Sequence, residues 1–162
     1  MVPVTSVIAT PESQAMFNLA LEHMHRNRFR EAARSLREAL RMAPDNAHYL
    51  SFFGLCLARD TQDYDTAIRL CRRALDQIPH DTVLQVNLGK VYRLKGDIAS
   101  AYNSFLGAWE ENRRHPGPAA ELTRMGIRRT PVIPFLPRGS WPNRMLGRVR
   151  TSIRRRRLAK KP

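Results

Sequence analysis

The sequence has few of the residue types on which disulfide-stabilised and membrane-spanning proteins depend. It contains two cysteines, Cys56 and Cys71, which are too few for a disulfide framework and do not stand in a metal-ligand spacing. No stretch approaches the roughly 20 apolar residues that a spanning helix needs. The first basic residue is Arg26, so the N-terminus does not read as a secretory signal. We expect a cytoplasmic protein, with peripheral contact at the inner face of a membrane left open.

Motifs of catalysis and metal binding are also missing. There is no phosphate-cradling glycine loop and no nucleophile paired with a base in a motif. His23 and His25, two apart on a predicted helix, would point to different sides. Asp60, Asp63 and Asp65 are followed by no loop of calcium-binding length, so caps and solvated charges explain them better. We predict a non-catalytic protein with no metal site, no cofactor and no small-molecule substrate.

Acidic residues are nearly absent from the last fifty positions. Residues 1–112 contain 13 Lys/Arg and 13 Asp/Glu, whereas residues 113–162 contain 15 Lys/Arg and one acid, Glu121. The whole formal net charge of +14 therefore belongs to the C-terminal part. The sequence describes a neutral body with a cationic tail, which raises nucleic acid or an anionic membrane as partners of that tail.

The sequence does contain an internal repeat. Alanines recur in pairs seven residues apart, and the pairs follow one another at steps of 35 and 34 residues: Ala32 and Ala39, Ala67 and Ala74, Ala101 and Ala108. Gly54 and Gly89 repeat the step of 35, as do Pro44 and Pro79. A period near 34 residues is that of units built from two antiparallel helices.

Each unit can be compared with a pattern for each of its two helices. The first helix has W-x2-L-G-x2-Y, and the second has A-x3-F, followed by a further small residue and then by proline. The first-helix positions hold Met16, Leu19, Ala20 and His23 in unit one, Leu50, Phe53, Gly54 and Leu57 in unit two, and Gln85, Leu88, Gly89 and Tyr92 in unit three. The second helices hold Leu36, Cys71 and Phe105 between their alanines, and Arg113 stands where the third proline was expected. Small residues at a helix crossing allow close packing, and large residues beside them fill the gap.

These patterns and their caps predict helices near 12–26, 29–42, 47–60, 64–77, 81–95 and 98–113. Thr10-Pro11-Glu12 reads as a helix start, and the later starts fall at Asp45/Asn46, Asp63, Asp81 and Asp97. One extra residue between Gly54 and Tyr64 predicts a longer turn inside unit two, around 61–63.

The sequence resembles the tetratricopeptide repeat family over roughly residues 12–115. The resemblance implies an all-α superhelix of three helix pairs, and such arrays usually end in a capping helix. We predict an N-terminal arm at 1–11 and a repeat domain at 12–126, with repeats at about 13–46, 47–81 and 82–115 and a cap at 117–126. In that cap, Leu122, Met125 and Ala119 would face the third unit.

Members of this family resemble one another in holding a peptide segment on the inner face of their first helices. Carried onto this sequence, the groove consists of Phe17, Asn18, Leu21, His48, Ser51, Leu55, Arg59, Val83, Val86, Asn87, Lys90 and Arg93. A chaperone-binding subset uses a Lys/Asn/Arg clamp for a C-terminal carboxylate. The matching places here hold Phe17, Leu21, Phe52, Val83 and Asn87, so the charges of that clamp are absent and the clamp is rejected. The alternative reading is that these side chains only pack.

The C-terminal part divides into two segments. Residues 127–143 carry prolines at 131, 134 and 137, a spacing that suits an extended polyproline strand, and their apolar residues predict docking on the body. The alternatives for this segment are a ligand for the aromatic groove of another protein and a mobile linker. Residues 144–162 hold nine cations and no acid. The candidate polyanion-binding residues are Arg148, Arg150, Arg154, Arg155, Arg156, Arg157, Lys160 and Lys161. An anionic membrane, nucleic acid and a merely solubilising tail remain open for this segment.

The sequence therefore predicts a scaffold or adaptor that binds a peptide or helix of another protein in a concave groove. One alternative is a peripheral binder of membrane or nucleic acid that acts through residues 144–162. Another is a small secretion-type chaperone with three repeats, although such relatives would not be expected to end in an arginine run.

Overall fold

A computed structural model describes residues 10–126 of the chain, and these residues form helices without any strand. The seven helices are α1 Pro11–His25, α2 Phe29–Met42, α3 Ala47–Asp60, α4 Tyr64–Gln77, α5 Thr82–Lys95, α6 Ile98–Glu111 and α7 Pro116–Arg124. Six of them form three antiparallel pairs, α1 with α2, α3 with α4 and α5 with α6, and each pair packs on the next. The predicted all-α superhelix of three helix pairs is confirmed. Residues 1–9 of the predicted arm, which was placed at 1–11, and residues 127–162 lie outside the described part.

Side-chain caps begin most of the helices where the sequence predicted them. The side chains of Thr10, Asn46, Asp63, Asp81 and Asp97 each accept a hydrogen bond from a backbone N–H in the first turn of the following helix. Hydrogen bonds from the side chain and then the backbone N–H of Thr66 lower the pKa of Asp63, and those of Ser100 lower the pKa of Asp97, because these bonds favour the charged carboxylate. Local polar chemistry thus determines where each pair starts.

The end of α6 and the relative length of the turn in unit two differ from the prediction. Helix α6 ends at Glu111 rather than at 113, because the Asn112 side chain accepts hydrogen bonds from the N–H groups of Arg114 and His115 and so begins a turn. The predicted longer turn of unit two, residues 61–63, is three residues long, as is the turn of unit one, residues 26–28. Only the turn of unit three is shorter: it has two residues, the first of which, Gly96, adopts a left-handed conformation with φ of 87°.

The helices of each pair approach closely at small residues. Ala20, Ala32 and Ala39 of unit one are completely buried, and so are the alanine pairs of the other units. A Cβ atom at Gly54 would lie 2.8 Å from the Ala67 carbonyl oxygen and 3.1 Å from Cys71 Sγ. Helix α3 can therefore reach α4 only with glycine at this position.

Helix α7 covers the third unit. Leu122 and Met125 pack against the core of units two and three, as predicted, but Ala119 is exposed and Pro118 is buried instead. Helix α7 begins at Pro116, and the side chain of His115 caps it by accepting a hydrogen bond from the Gly117 N–H. None of the helices within residues 10–126 is long and apolar enough to cross a membrane.

The close approach at Gly54 generates a stability prediction. We expect Gly54→Ala to lower the free energy of unfolding by about 1–3 kcal/mol, because the added methyl meets backbone that cannot move away cheaply. Gly107→Ala is the matched control inside α6, where a Cβ would meet only Gln85 Oε1 at 3.6 Å. This control should gain about 0.5–1 kcal/mol, since alanine loses less backbone entropy in a helix than glycine. Urea denaturation measures both, and equal effects at the two positions would contradict the packing argument.

Candidate functional site

The first helices of the pairs form one side of the array. Helix α3 contacts α5, and α5 contacts α7, whereas the second helices α2, α4 and α6 make at most marginal contact with one another within the described residues. The array is therefore tighter on the side of α1, α3, α5 and α7. We call this side the inner surface, and it is where the sequence placed the peptide groove.

The middle of the predicted groove is closed. Four of its residues are buried: Ser51 at 0% exposure, Leu55 at 4%, Val86 at 5% and Asn87 at 2%. Their side chains belong to the core between units two and three, so a ligand cannot contact them in this arrangement. The placement of these four residues as ligand contacts is corrected accordingly.

The cause of this closure is the small size of the residues at the α3–α5 contact. Asn87 Nδ2 donates a hydrogen bond to Ser51 Oγ at 3.2 Å, and the Cys71 thiol donates to the Ser51 carbonyl oxygen at 3.6 Å. The amide of Asn87, a residue of the predicted groove, is thus used inside the protein. Asn18, which occupies the same place in unit one, is exposed and accepts a hydrogen bond from Gln14 Nε2.

Half-buried aromatic rings separate α1 from α3 at one end of the inner surface. The Phe17 ring lies 5.0 Å from that of Tyr49 and 5.2 Å, edge to face, from that of Phe52. Leu21 lies one turn after Phe17 on the same face of α1 and is also half-buried. We call Phe17, Leu21 and Phe52 the apolar stretch. Phe52 entered the sequence analysis only as a place of the missing clamp, so its contribution to an apolar surface was overlooked.

A group of cations lies at the other end of the inner surface. Arg59, Lys90 and Arg93 of the predicted groove come together here with Arg124 of α7, around the buried carboxylate of Glu121. Arg93 Nη1 lies 3.4 Å from Glu121 Oε2, and Arg124 Nη1 donates to Glu121 Oε1 at 3.1 Å. We call these four cations the basic cluster.

Glu121 and Arg124 were missed as site residues although the sequence contained a signal for Glu121. Phe52, Asn87 and Glu121 follow one another at steps of 35 and 34 residues, so they occupy one repeated position on successive first helices. Each makes the contact to the preceding first helix: Phe52 through a ring, Asn87 through an amide and Glu121 through ion pairs. Extending the repeat by one period would have placed Glu121 against α5.

The last two predicted groove residues lie at the start of their helices. His48 is half-buried, and its Nε2 lies 3.7 Å from Asp81 Oδ2, while Val83 is half-buried in the first turn of α5. A separate cleft of about 470 Å³ lies between α4 and the junction of α5 with α6. In its lining, Lys95 Nζ lies 2.7 Å from Asp65 Oδ1, and Arg72 Nη2 donates a hydrogen bond to the Tyr92 hydroxyl at 2.7 Å.

The described residues show no arrangement that would carry covalent or metal chemistry. Burial raises the pKa of the Cys56 thiol and of the Cys71 thiol to about 12, so neither is a ready nucleophile. From Thr10 to Gly126, no three His, Cys, Asp or Glu side chains converge as metal ligands would. Asp60 lies 3.5 Å from Arg30, Asp63 caps α4 and Asp65 pairs with Lys95. The candidate polyanion-binding residues, 148–161, lie outside the described part of the chain.

Comparisons with known proteins point to one kind of repeat. The family model described as "Tetratricopeptide repeat" matches residues 17–82. Among curated proteins, none matches this sequence. Solved structures match over most of the described helices, and their identities of 12–24% show a shared fold alone.

Three of these structures illustrate the match. The tetratricopeptide repeat domain of Sgt2 from Aspergillus fumigatus is 20% identical with a TM-score of 0.64, covering 75% of this chain and 81% of that one. The first such domain of Spaghetti (RPAP3), bound to the HSP90 peptide SRMEEVD, is 12% identical with a TM-score of 0.62, covering 74% and 96%. A mutant O-GlcNAc transferase of Thermobaculum terrenum is 24% identical with a TM-score of 0.64, covering 76% of this chain but 23% of that one.

The buried amide of Asn87 generates a prediction with an internal control. We expect Asn87→Ala to lower the free energy of unfolding by about 1–3 kcal/mol, because it leaves a cavity and an unsatisfied Ser51 hydroxyl. Asn18→Ala, at the equivalent exposed place, should change it by less than about 0.5 kcal/mol. Urea denaturation followed by circular dichroism measures both. A neutral Asn87→Ala would show that this amide is free for a ligand after all.

The raised thiol pKa values generate a second prediction. At pH 8 both thiols are protonated and shielded in the folded protein, so Ellman's reagent should react with neither Cys56 nor Cys71. In urea both pKa values return to the ordinary range and two thiols per chain should react. Rapid labelling of one thiol under native conditions would contradict the buried placement of that cysteine.

Proposed function

We propose that this chain, whose helical repeats belong to the tetratricopeptide repeat family, is a non-catalytic scaffold that binds a segment of another protein on the inner surface. The proposal places the ligand against the first helices rather than in the cleft beside α4. Its ligand contacts are the accessible residues at the two ends of that surface, since the middle is filled by the protein's own core.

The observation that carries the proposal is the apolar stretch. Phe17, Leu21 and Phe52 remain partly exposed although the neighbouring core has apolar residues at 0–5% exposure. Aromatic rings held in place by their neighbours are favourable anchors for a ligand, because they add large apolar contact at little cost in side-chain entropy. An apolar side chain of a partner helix or strand would be buried between these rings.

The related structures support a protein ligand and also mark a difference. The Spaghetti domain is bound to an HSP90 peptide, so a similar fold holds a segment of a partner protein. In this chain the places of the carboxylate clamp hold Phe17, Leu21, Phe52, Val83 and Asn87, of which the first four are apolar and none carries charge. We therefore propose apolar anchoring at these places rather than capture of a C-terminal carboxylate.

A second function is favoured by the charge distribution. Residues 113–162 carry the whole net charge, and within 144–162 nine cations meet no acid. We propose that this tail adds salt-sensitive contact with a polyanion, either the anionic inner face of a membrane in the cytoplasm or nucleic acid. The repeats would then act as the platform that brings a bound protein to this surface.

Affinity capture with variants of the full chain tests both functions. Leu21→Asp should lower capture of the groove partner by about tenfold or more, because it places a charge where an apolar side chain is buried. Leu19→Asp is the control, since Leu19 lies on the same helix, is 40% exposed and points away from Leu21. Circular dichroism establishes that both variants keep their helices.

The tail is tested by replacing Arg154, Arg155, Arg156 and Arg157 with glutamine. Partners of the tail should be lost in this variant and in high salt, while groove partners should remain bound. If Leu21→Asp and Leu19→Asp captured the same proteins in the same amounts, the apolar stretch would not be the binding surface.

A further inference from the structure

The basic cluster contains more positive charge than its internal carboxylate balances. Glu121 forms ion pairs with Arg93 and Arg124. Within residues 10–126, no carboxylate oxygen lies within 4.0 Å of Lys90 Nζ. The Arg59 guanidinium lies over the Phe29 ring, 5.3 Å from its centre, rather than against an acid. Of the four cations, only Arg93 and Arg124 therefore pair with a carboxylate within this part of the chain.

Lys90 is the cation of the basic cluster on which the partial burial acts most clearly. Burial lowers the pKa of Lys90, the negative charge of Glu121 raises it, and the charges of Arg93, Arg124 and Arg59 lower it further. An ammonium group that has lost part of its hydration gains more from a new anionic partner than an exposed one does, because the local dielectric is lower. A second anion bound at the basic cluster would therefore be stabilised by Lys90.

No acidic side chain follows Glu121 in the sequence. Residues 122–162 contain neither aspartate nor glutamate. Glu121 is the single acid of the last fifty residues, and it is already buried in the cluster. A second carboxylate side chain must therefore come from another molecule.

From this charge balance we infer that the basic cluster binds a carboxylate side chain from an acidic segment of the partner protein, beside Glu121. The inference rests on the proposed function and defines the chemistry of the partner: apolar residues for the apolar stretch and an acidic residue for the cluster. Arg59, Lys90, Arg93 and Arg124 do not occupy the places of the carboxylate clamp.

A carboxylate fits this cluster better than the phosphates of nucleic acid. Glu121 shows that Arg93 and Arg124 can hold a carboxylate, with Arg93 Nη1 3.4 Å from Oε2 and Arg124 Nη1 3.1 Å from Oε1. Surfaces that bind single-stranded nucleic acid combine cations with free aromatic rings on which bases stack. The ring beside this cluster, Phe29, already lies under Arg59.

Fluorescence anisotropy with a labelled peptide, acetyl-Leu-Glu-Glu-Leu-Glu-Glu-amide, tests the inference on the full chain at about 0.15 M salt. Lys90→Gln should weaken binding by about tenfold, the effect of losing one hydrogen bond to a charged group. Arg34→Gln removes the same charge from an exposed position on α2 and should change binding by less than about twofold. All variants keep the basic tail, so its contribution cancels in the comparison.

Glu121→Gln provides a second test of opposite sign. It keeps the volume of the side chain but removes the internal carboxylate, so the peptide should bind about threefold tighter or better. Thermal melts check that each variant is folded. Lys90→Gln should melt no lower than the original chain, because it removes a desolvated charge, and it decides the outcome if Glu121→Gln unfolds.

Three results would overturn the inference: equal binding by Lys90→Gln and Arg34→Gln, equal binding of the peptide and its all-glutamine counterpart, or an equal loss of single-stranded thymidine oligonucleotide binding in Lys90→Gln. The last result would make the cluster a general polyanion site. The proposed scaffold is judged separately by Leu21→Asp. If Leu21→Asp still abolished partner capture while Lys90→Gln had no effect, the acidic partner would be wrong and the scaffold would stand.

Discussion

The contact between successive first helices governs which surfaces this protein offers. At one repeated position Phe52, Asn87 and Glu121 reach the preceding first helix through a ring, a hydrogen-bonded amide and a pair of ion pairs. The size and chemistry of this side chain determine how closely two units approach. Large rings separate α1 from α3, whereas Asn87 and the small Ser51 allow α3 and α5 to pack directly. The same backbone repeat therefore yields three different junctions.

These junctions explain why the inner surface is divided. The tight α3–α5 junction buries residues that a continuous groove would have exposed, such as Leu55 and Val86. The wider α1–α3 junction leaves Phe17 and Phe52 half-buried, and the ionic junction at α7 leaves cations in excess. A ligand of the proposed kind would bridge an apolar end and a basic end across a closed middle. Such a ligand must satisfy both chemistries in one order, which provides selectivity without a deep pocket.

The charge distribution has two levels that act at different ranges. Residues 127–162, beyond the described part, contain 12 of the 28 Lys and Arg residues and no acid. Their proposed attraction would act over about a Debye length, so it would be general and sensitive to salt. The basic cluster is small, partly desolvated and organised by Glu121, so its proposed attraction would depend on geometry. In the proposed function, the tail would attract an anionic partner and the cluster would recognise an acidic segment.

The sequence by itself determined the helix pairs, because their signals are local: alanines at a period of 34–35 residues, glycine at the crossing and polar caps at Asn46, Asp63, Asp81 and Asp97. The resemblance to the tetratricopeptide repeat family also placed Lys90 and Arg93 on the inner surface, because the first helices of that family form this side. A period does not give the distance between helices of different units, so only the tertiary structure decided that Ser51 and Asn87 are used inside the core. It likewise decided that Ala119 is exposed, since this depends on how α7 turns against α5 rather than on any pattern within α7.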